Sequence, residues 1–179
     1  QGVLCIVRQP EYEWKDLIRG EQTHLLVLEG IQDPGNLGTI FRTGEGAGIT
    51  GIIMSGCADL FAPKTVRSTM GSICRVPFYT VTDLQKTLCI LKEKRISIYA
   101  AHLKGQKYYD ALDYRGAVAF LIGSEGNGLT EETARQADAY LKIPMGGHLE
   151  SLNAAMAAGI LMYEVNRQRR GERTIANMV

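Results

Sequence analysis

Five polar side chains stand in stretches that are otherwise apolar or rich in glycine: Asn36, Arg42, Glu125, Ser151 and Asn153. Amide, guanidinium, carboxylate and hydroxyl groups in such turns suit the holding of a polar ligand and the stabilisation of charge developing on an oxygen. Asn36 and Arg42 are six residues apart, nearly two turns of the helix read from GNLGTIFRTGEGAG, so they would flank a longer ligand instead of sharing one turn. On spacing alone Arg42 is equally a surface ion-pair partner, and Glu125 equally a brace for its own turn. Ser151 stands where an N-cap belongs, ahead of the apolar run Leu152 to Met162. Asn153 then falls in the first turn of that helix, among backbone N–H groups that lack partners.

The elements that must position these residues follow from the hydrophobic pattern. Leu25 to Leu28, Gly51 to Met54, Ser97 to Ala101, Ala117 to Ile122 and Leu141 to Ile143 are short, nearly all-apolar runs, as for strands covered on both faces. Val3 to Val7 and Val76 to Thr80 are further strand candidates, the second edge-like because Pro77 cannot donate to a ladder. Helices are expected from near Asn36 to Ala47 and over Ala62 to Met70, the latter with Pro63 in its first turn. Thr82-Asp83-Leu84-Gln85 reads as a capping box opening a helix to about Lys94, and Thr130 caps a short helix beginning at Glu131. Strands alternating with helices indicate a parallel α/β sheet with helices on both faces. Two strands run into glycine turns, Gly123-Ser124-Glu125-Gly126-Asn127-Gly128 and Pro144 to Gly147. In open α/β sheets ligands lie beyond the carboxyl ends of strands, so these loops are the expected pocket walls. Gly146-Gly147 should make a tight turn that residues with a Cβ would resist.

Composition narrows the chemistry. A chain of 179 residues with 45% hydrophobic and 22% charged residues is expected to be one domain whose core needs no disulfide or metal. No GxGxxG opens a helix after the first strand, no GK[ST] occurs and no GxSxG elbow is present, which disfavours hydride transfer, NTP hydrolysis and serine hydrolysis. Cys5, Cys57, Cys74 and Cys89 are widely separated and read as reduced core thiols of a cytoplasmic protein. The histidines are equally scattered, so no metal is expected. The longest apolar run is too short and too rich in small residues to span a bilayer, so no membrane partner is expected. With a net charge of +1, basic residues gather only locally, at Lys64, Arg67 and Arg75, at Lys104 and Lys107, and at Arg167, Arg169, Arg170 and Arg173. These are solvated faces or phosphate-contacting ones. A first residue Gln1 with no signal-peptide pattern is the pattern of a fragment or processed form with an upstream domain missing.

Three motifs taken together resemble the SpoU-type RNA ribose 2′-O-methyltransferases of the α/β-knot (SPOUT) superfamily. The first is Asp33-Pro34-Gly35-Asn36-Leu37-Gly38 with Arg42-Thr43, the second Leu121 to Leu129, and the third Ile143-Pro144-Met145 with Ser151-Leu152-Asn153-Ala154. Gly44 departs from the alanine more usual after the Arg-Thr pair, a small-for-small change. The resemblance implies a deep trefoil knot in the C-terminal part of the sheet, and S-adenosylmethionine held near Ala101, Gly123, Ile143, Leu152 and Asn153. It implies catalytic roles for Arg42, Asn36, Glu125, Ser151 and Asn153, with Arg42 positioning the ribose hydroxyl and a phosphate while Asn36 and Glu125 orient Arg42 and the ribose. It implies a homodimer packed through the first-motif helix and the C-terminal helix. RNA is the implied partner; ribosomal RNA is favoured over transfer RNA by the DPGNLG form and the lead-in GVLCIV. Residues 1–24 then read as a strand and connector left from an upstream RNA-binding domain, and 25–179 as the knotted methyltransferase domain. The competing readings are a non-catalytic RNA-binding or ribosome-assembly module on the same fold, and a doubly wound nucleotide-binding enzyme.

Overall fold

The computed structural model describes Gly2 and residues 6–176, the last five of these as helical backbone only. Seven parallel strands form one sheet in the order β3-β2-β1-β6-β4-β7-β5. In chain order they are β1 (His24–Glu29), β2 (Gly51–Ser55), β3 (Phe78–Thr80), β4 (Ser97–Ala101), β5 (Lys107–Tyr108), β6 (Val118–Gly123) and β7 (Ala139–Lys142). The helices are α1 (Trp14–Leu17), α2 (Pro34–Ala47), α3 (Pro63–Thr69), α4 (Leu84–Glu93), α5 (Glu131–Ala134) and α6 (Ala154–Ala176).

Alternation along each strand divides the core in two. Leu26, Leu28, Ile52, Phe120 and Ile122 face one side, where α2 and α6 cover them with Leu37, Ile40, Phe41, Ala158 and Leu161. Leu25, Val27, Ile53, Ala119 and Leu121 face the other side, against Leu84, Leu88 and Leu91 of α4 and Leu17 of α1. Strands buried on both faces have no polar phase, which is why each reads as an unbroken apolar run. The strand β3 lies at one edge of the sheet, as expected, but it begins at Phe78, so Pro77 stands just ahead of it instead of within it.

Several expectations need correction. The helix α4 is capped by Asp83, whose carboxylate accepts from the Lys86 N–H at 2.9 Å, so the cap sits one residue beyond Thr82. The segment read as a polar connector carries α1, with Leu17 fully buried and Trp14 packed on Tyr79. Its polarity in sequence comes from the exposed face of a single turn. Of the strand expected over Val3 to Val7, Val3 to Cys5 lie outside the described residues, and Ile6 and Val7 are exposed in no regular element. Cys57 is half-buried, whereas Cys74 and Cys89 are exposed free thiols instead of core ones.

The C-terminal part is tied closely to the loop after β4. Gly105 lies so near β7 that a Cβ there would come within 2.5 Å of the Leu141 carbonyl carbon. On α6, Gln168 accepts from the Tyr114 N–H at 2.8 Å and donates to the Leu112 carbonyl at 2.9 Å. The Arg169 guanidinium donates to the Gln22, Thr23 and Gly116 carbonyls at 2.9, 3.0 and 2.7 Å.

Near this clasp His24 is buried at 1% exposure, with Nε2 lacking any partner among the described residues. Burial, with the Arg169 guanidinium nearby, pushes its pKa from 6.5 down to about 3. Between those values the unfolded chain binds a proton that the folded chain does not. Stability is therefore full above about pH 6.5 and falls as acid is added, by about 1.4 kcal/mol per pH unit. In urea titrations, stability lost between about pH 7.5 and pH 5 should be greater for wild type than for His24→Leu by about 2 kcal/mol. Equal losses would show that the fold accommodates the charged ring.

Among the described residues, no helix is long and apolar enough to cross a membrane, and no group of three or more His, Cys, Asp or Glu could hold a metal ion.

Candidate functional site

The first motif becomes the start of α2. Pro34 occupies the first helical turn, where its missing N–H costs nothing, and the Asp33 carboxylate accepts from the Asn36 N–H at 2.7 Å. Asn36 is thereby fixed at the helix entrance. Its Nδ2 donates to Glu125 Oε1 at 2.5 Å, and its Oδ1 accepts from Asn153 Nδ2 at 2.9 Å. Residues 89 and 117 positions away in sequence thus converge on one amide.

Asn153 is the N-cap of α6. Its Oδ1 accepts from the Ala155 and Met156 N–H groups at 2.9 and 3.3 Å, and the helix begins at Ala154. Ser151 was expected in that role; an amide oxygen two residues later reaches two orphan donors and wins. Ser151 is exposed and lines the adjacent cavity. Gly146 and Gly147 form a bend with no positive φ and open space around each, so neither requires glycine.

The second motif folds into a tight hairpin in which Ser124 and Gly128 exchange backbone hydrogen bonds of 3.1 and 2.9 Å. Gly128 has φ +68°, and a Cβ on Gly123 would fall 2.1 Å from the Gly128 carbonyl carbon. Glycine is required at both positions. The hairpin holds Glu125 at its tip, facing α2.

A cavity of about 760 Å³ lies beyond the carboxyl ends of β4, β6 and β7, within the range of small-molecule sites. Ala101, Gly123, Ile143 and Leu152 all line it, as do Glu125 and Ser151. Asn153 and Asn36 lie outside this lining and connect to it through Glu125. Arg42 stands apart: it is exposed on α2 and makes no hydrogen bond or ion pair among the described residues, including with Asn36 or Glu125. Sequence reasoning missed the wall formed by His102, Tyr108 and Lys142, and had marked Lys104 only as part of a basic cluster. The signal was available, since these residues follow or belong to strands whose neighbours had already marked the carboxyl edge.

The donor set fits S-adenosylmethionine. Leu103, Leu129, Ile143 and Leu152 offer apolar surface for a flat ring, the glycine hairpin brings backbone close, and the Glu125 and Glu150 carboxylates suit a cationic ligand.

The SpoU rRNA Methylase family model matches residues 23–163. A 23S rRNA (guanosine-2′-O-)-methyltransferase of Xylella fastidiosa is 39% identical over 162 residues, covering 89% of this chain and 65% of that protein. The SpoU methyltransferase AviRb from Streptomyces viridochromogenes superposes with a TM-score of 0.85 at 30% identity, covering 92% of this chain and 66% of that one. An S-adenosylmethionine-bound rRNA methyltransferase from Sinorhizobium meliloti superposes at 0.74 with 38% identity, covering 82% of this chain and 57% of that one. This chain thus spans about two thirds or less of the length of these relatives. With the three motifs gathered at one cavity and a family model covering most of the sequence, the chain belongs to the SpoU rRNA methylase family of S-adenosylmethionine-dependent RNA methyltransferases.

Proposed function

We propose that this chain acts as a cytoplasmic homodimer that methylates a ribose 2′-hydroxyl in RNA, with ribosomal RNA as substrate. The observation that carries this reading is the hydrogen-bonded trio Asn153–Asn36–Glu125, which joins all three motifs at the mouth of the cavity. S-adenosylmethionine, when bound, supplies an electrophilic methyl group. Ala101, Gly123, Ile143 and Leu152 would hold it, and Asn153 would support them by capping α6. Glu125, fixed by Asn36, would accept a hydrogen bond from the ribose, and Ser151 would shape the rim.

Arg42 is a poor general base, because its guanidinium stays protonated. Its role is to grip an RNA phosphate and stabilise negative charge on the attacking oxygen, while the proton leaves to phosphate or water. Because Arg42 lies off the cavity on the exposed face of α2, the dimer completes the reading. Met156 and Tyr163 of α6 are 60% and 50% exposed on the neighbouring face, an apolar stripe suited to burial against a second copy. A trefoil knot is consistent with the close clasp of residues 102–116 around β7 and α6. Residues 25–179 are assigned as the methyltransferase domain, onto whose core α1 of residues 1–24 packs through Leu17.

Isothermal titration tests the core of this proposal. One S-adenosylmethionine, or its demethylated product, should bind per chain, with NAD silent. A folded dimer that binds neither would favour the non-catalytic RNA-binding alternative.

A further inference from the structure

On its β5 side the cavity is lined by His102, Leu103, Lys104, Tyr108 and Lys142. Tyr108 is 49% exposed and Leu103 70% exposed. The next tyrosine, Tyr109, packs against the core, as does Tyr114. The Lys142 ammonium lies 4.7 Å from the centre of the Tyr108 ring, over one face, and the exposed half of the residue leaves ring surface for a second partner.

Residues 102–108 carry Lys104 and Lys107 and no acid. The acidic groups close by are Glu150 in the cavity wall, Asp110 beyond β5, and Glu125, which is already engaged by Asn36. β5 is the outermost strand, so no further strand lies beyond it. Lysines on a short edge strand guard against sheet extension. Leu103 serves the methyl-donor cavity, but neither that nor edge protection accounts for the exposed ring of Tyr108 at its mouth.

We infer that this rim docks the nucleotide adjacent to the methylated ribose, its base stacked on Tyr108 and its phosphates held by Lys104, Lys107 and Lys142. The inference rests on the RNA-methylating reading above. A base has a π-face whatever its identity, so Tyr108 would grip single-stranded RNA without reading sequence, while the lysines supply the salt-dependent part of the affinity.

The test uses the whole chain and a fluorescein-labelled single-stranded RNA of about ten nucleotides, read by anisotropy at two salt concentrations, with a 4-thiouridine version for photo-crosslinking. Tyr108→Ala should weaken binding about tenfold, while Tyr108→Phe, which keeps the ring, stays within about twofold. Lys107→Met should lower the slope of log affinity against log salt by about 0.7. Crosslinks should fall within residues 102–108. Tyr108→Ala binding as tightly as wild type, with crosslinks elsewhere such as Lys64 and Arg67, overturns the rim and leaves the RNA reading standing. A chain that binds S-adenosylmethionine yet neither binds nor methylates RNA overturns both.

Discussion

Arg42→Ala should slow methyl transfer to RNA by about two to three orders of magnitude while S-adenosylmethionine affinity stays within about threefold. The separation follows from geometry. Arg42 is absent from the cavity wall, so the methyl donor does not depend on it. Its side chain is exposed, with no hydrogen bond or ion pair among the described residues, and so remains available to a substrate phosphate and a developing alkoxide. Those interactions strengthen as charge builds on the ribose oxygen, and removing them costs the transition state more than the bound ground state. Arg42→Lys should recover only part of the rate, since an ammonium keeps the charge but not the planar fork. Single-turnover transfer of a tritiated methyl group to ribosomal RNA gives the rate, and calorimetry the donor affinity. Molar mass must be measured alongside, because α2 also borders the exposed α6 stripe, where a Cβ on Gly46 would lie 3.0 Å from the Tyr163 hydroxyl. A dimeric Arg42→Ala protein that methylates within about fivefold of wild type would remove Arg42 from the mechanism.

The parts of this site legible in the sequence were those with a local cause. Five of the seven strands sit within one or two residues of their apolar runs, most plainly β1, β2 and β6, because strands buried on both faces cannot hide their hydrophobicity. The hairpin Gly123 to Gly128 was legible for a similar reason, since its backbone excludes any Cβ at Gly123 and needs a positive φ at Gly128. Features decided by distant parts of the chain were not legible. β5 is a strand only because β7 offers it a partner, and KY alone has no strand signature. Ser151 and Asn153 are both good N-cap residues; the choice between them depends on Asn36, 117 positions upstream, which binds the Asn153 amide. Gly146-Gly147 looked like a required turn, yet φ is ordinary and space is open at both. The placement of Arg42 away from Asn36 and Glu125 was half legible. Six-residue spacing separated Arg42 from Asn36, but nothing in it showed that Glu125 would side with Asn36.

Gly123→Ala should destroy the donor site and much of the stability at once. An added Cβ would lie 2.1, 2.2 and 2.3 Å from the Gly128 carbonyl carbon, the Leu129 nitrogen and the Gly128 carbonyl oxygen. All three are backbone atoms, so no side chain can swing aside, and the hairpin must open by more than an ångström. Opening breaks the Ser124–Gly128 pair and draws Glu125 away from Asn36, which in turn loosens the Asn153 cap on α6. Overpacking of this kind costs about 3 kcal/mol, a fall in Tm of roughly 6–12 °C for a chain of this size. S-adenosylmethionine affinity should fall by more than about a hundredfold, since Gly123 is itself part of the cavity wall. Gly126→Ala is the matched control: a Cβ there meets nothing within 4 Å and the backbone has no positive φ, so stability should change by less than about 0.5 kcal/mol. Thermal melts of both variants, with and without S-adenosylmethionine, separate the two effects, because a ligand that still bound would raise the melting temperature of the weakened fold. If Gly123→Ala melted and bound like Gly126→Ala, the hairpin would have to be far more pliant than its packing against Gly128 and Leu129 allows.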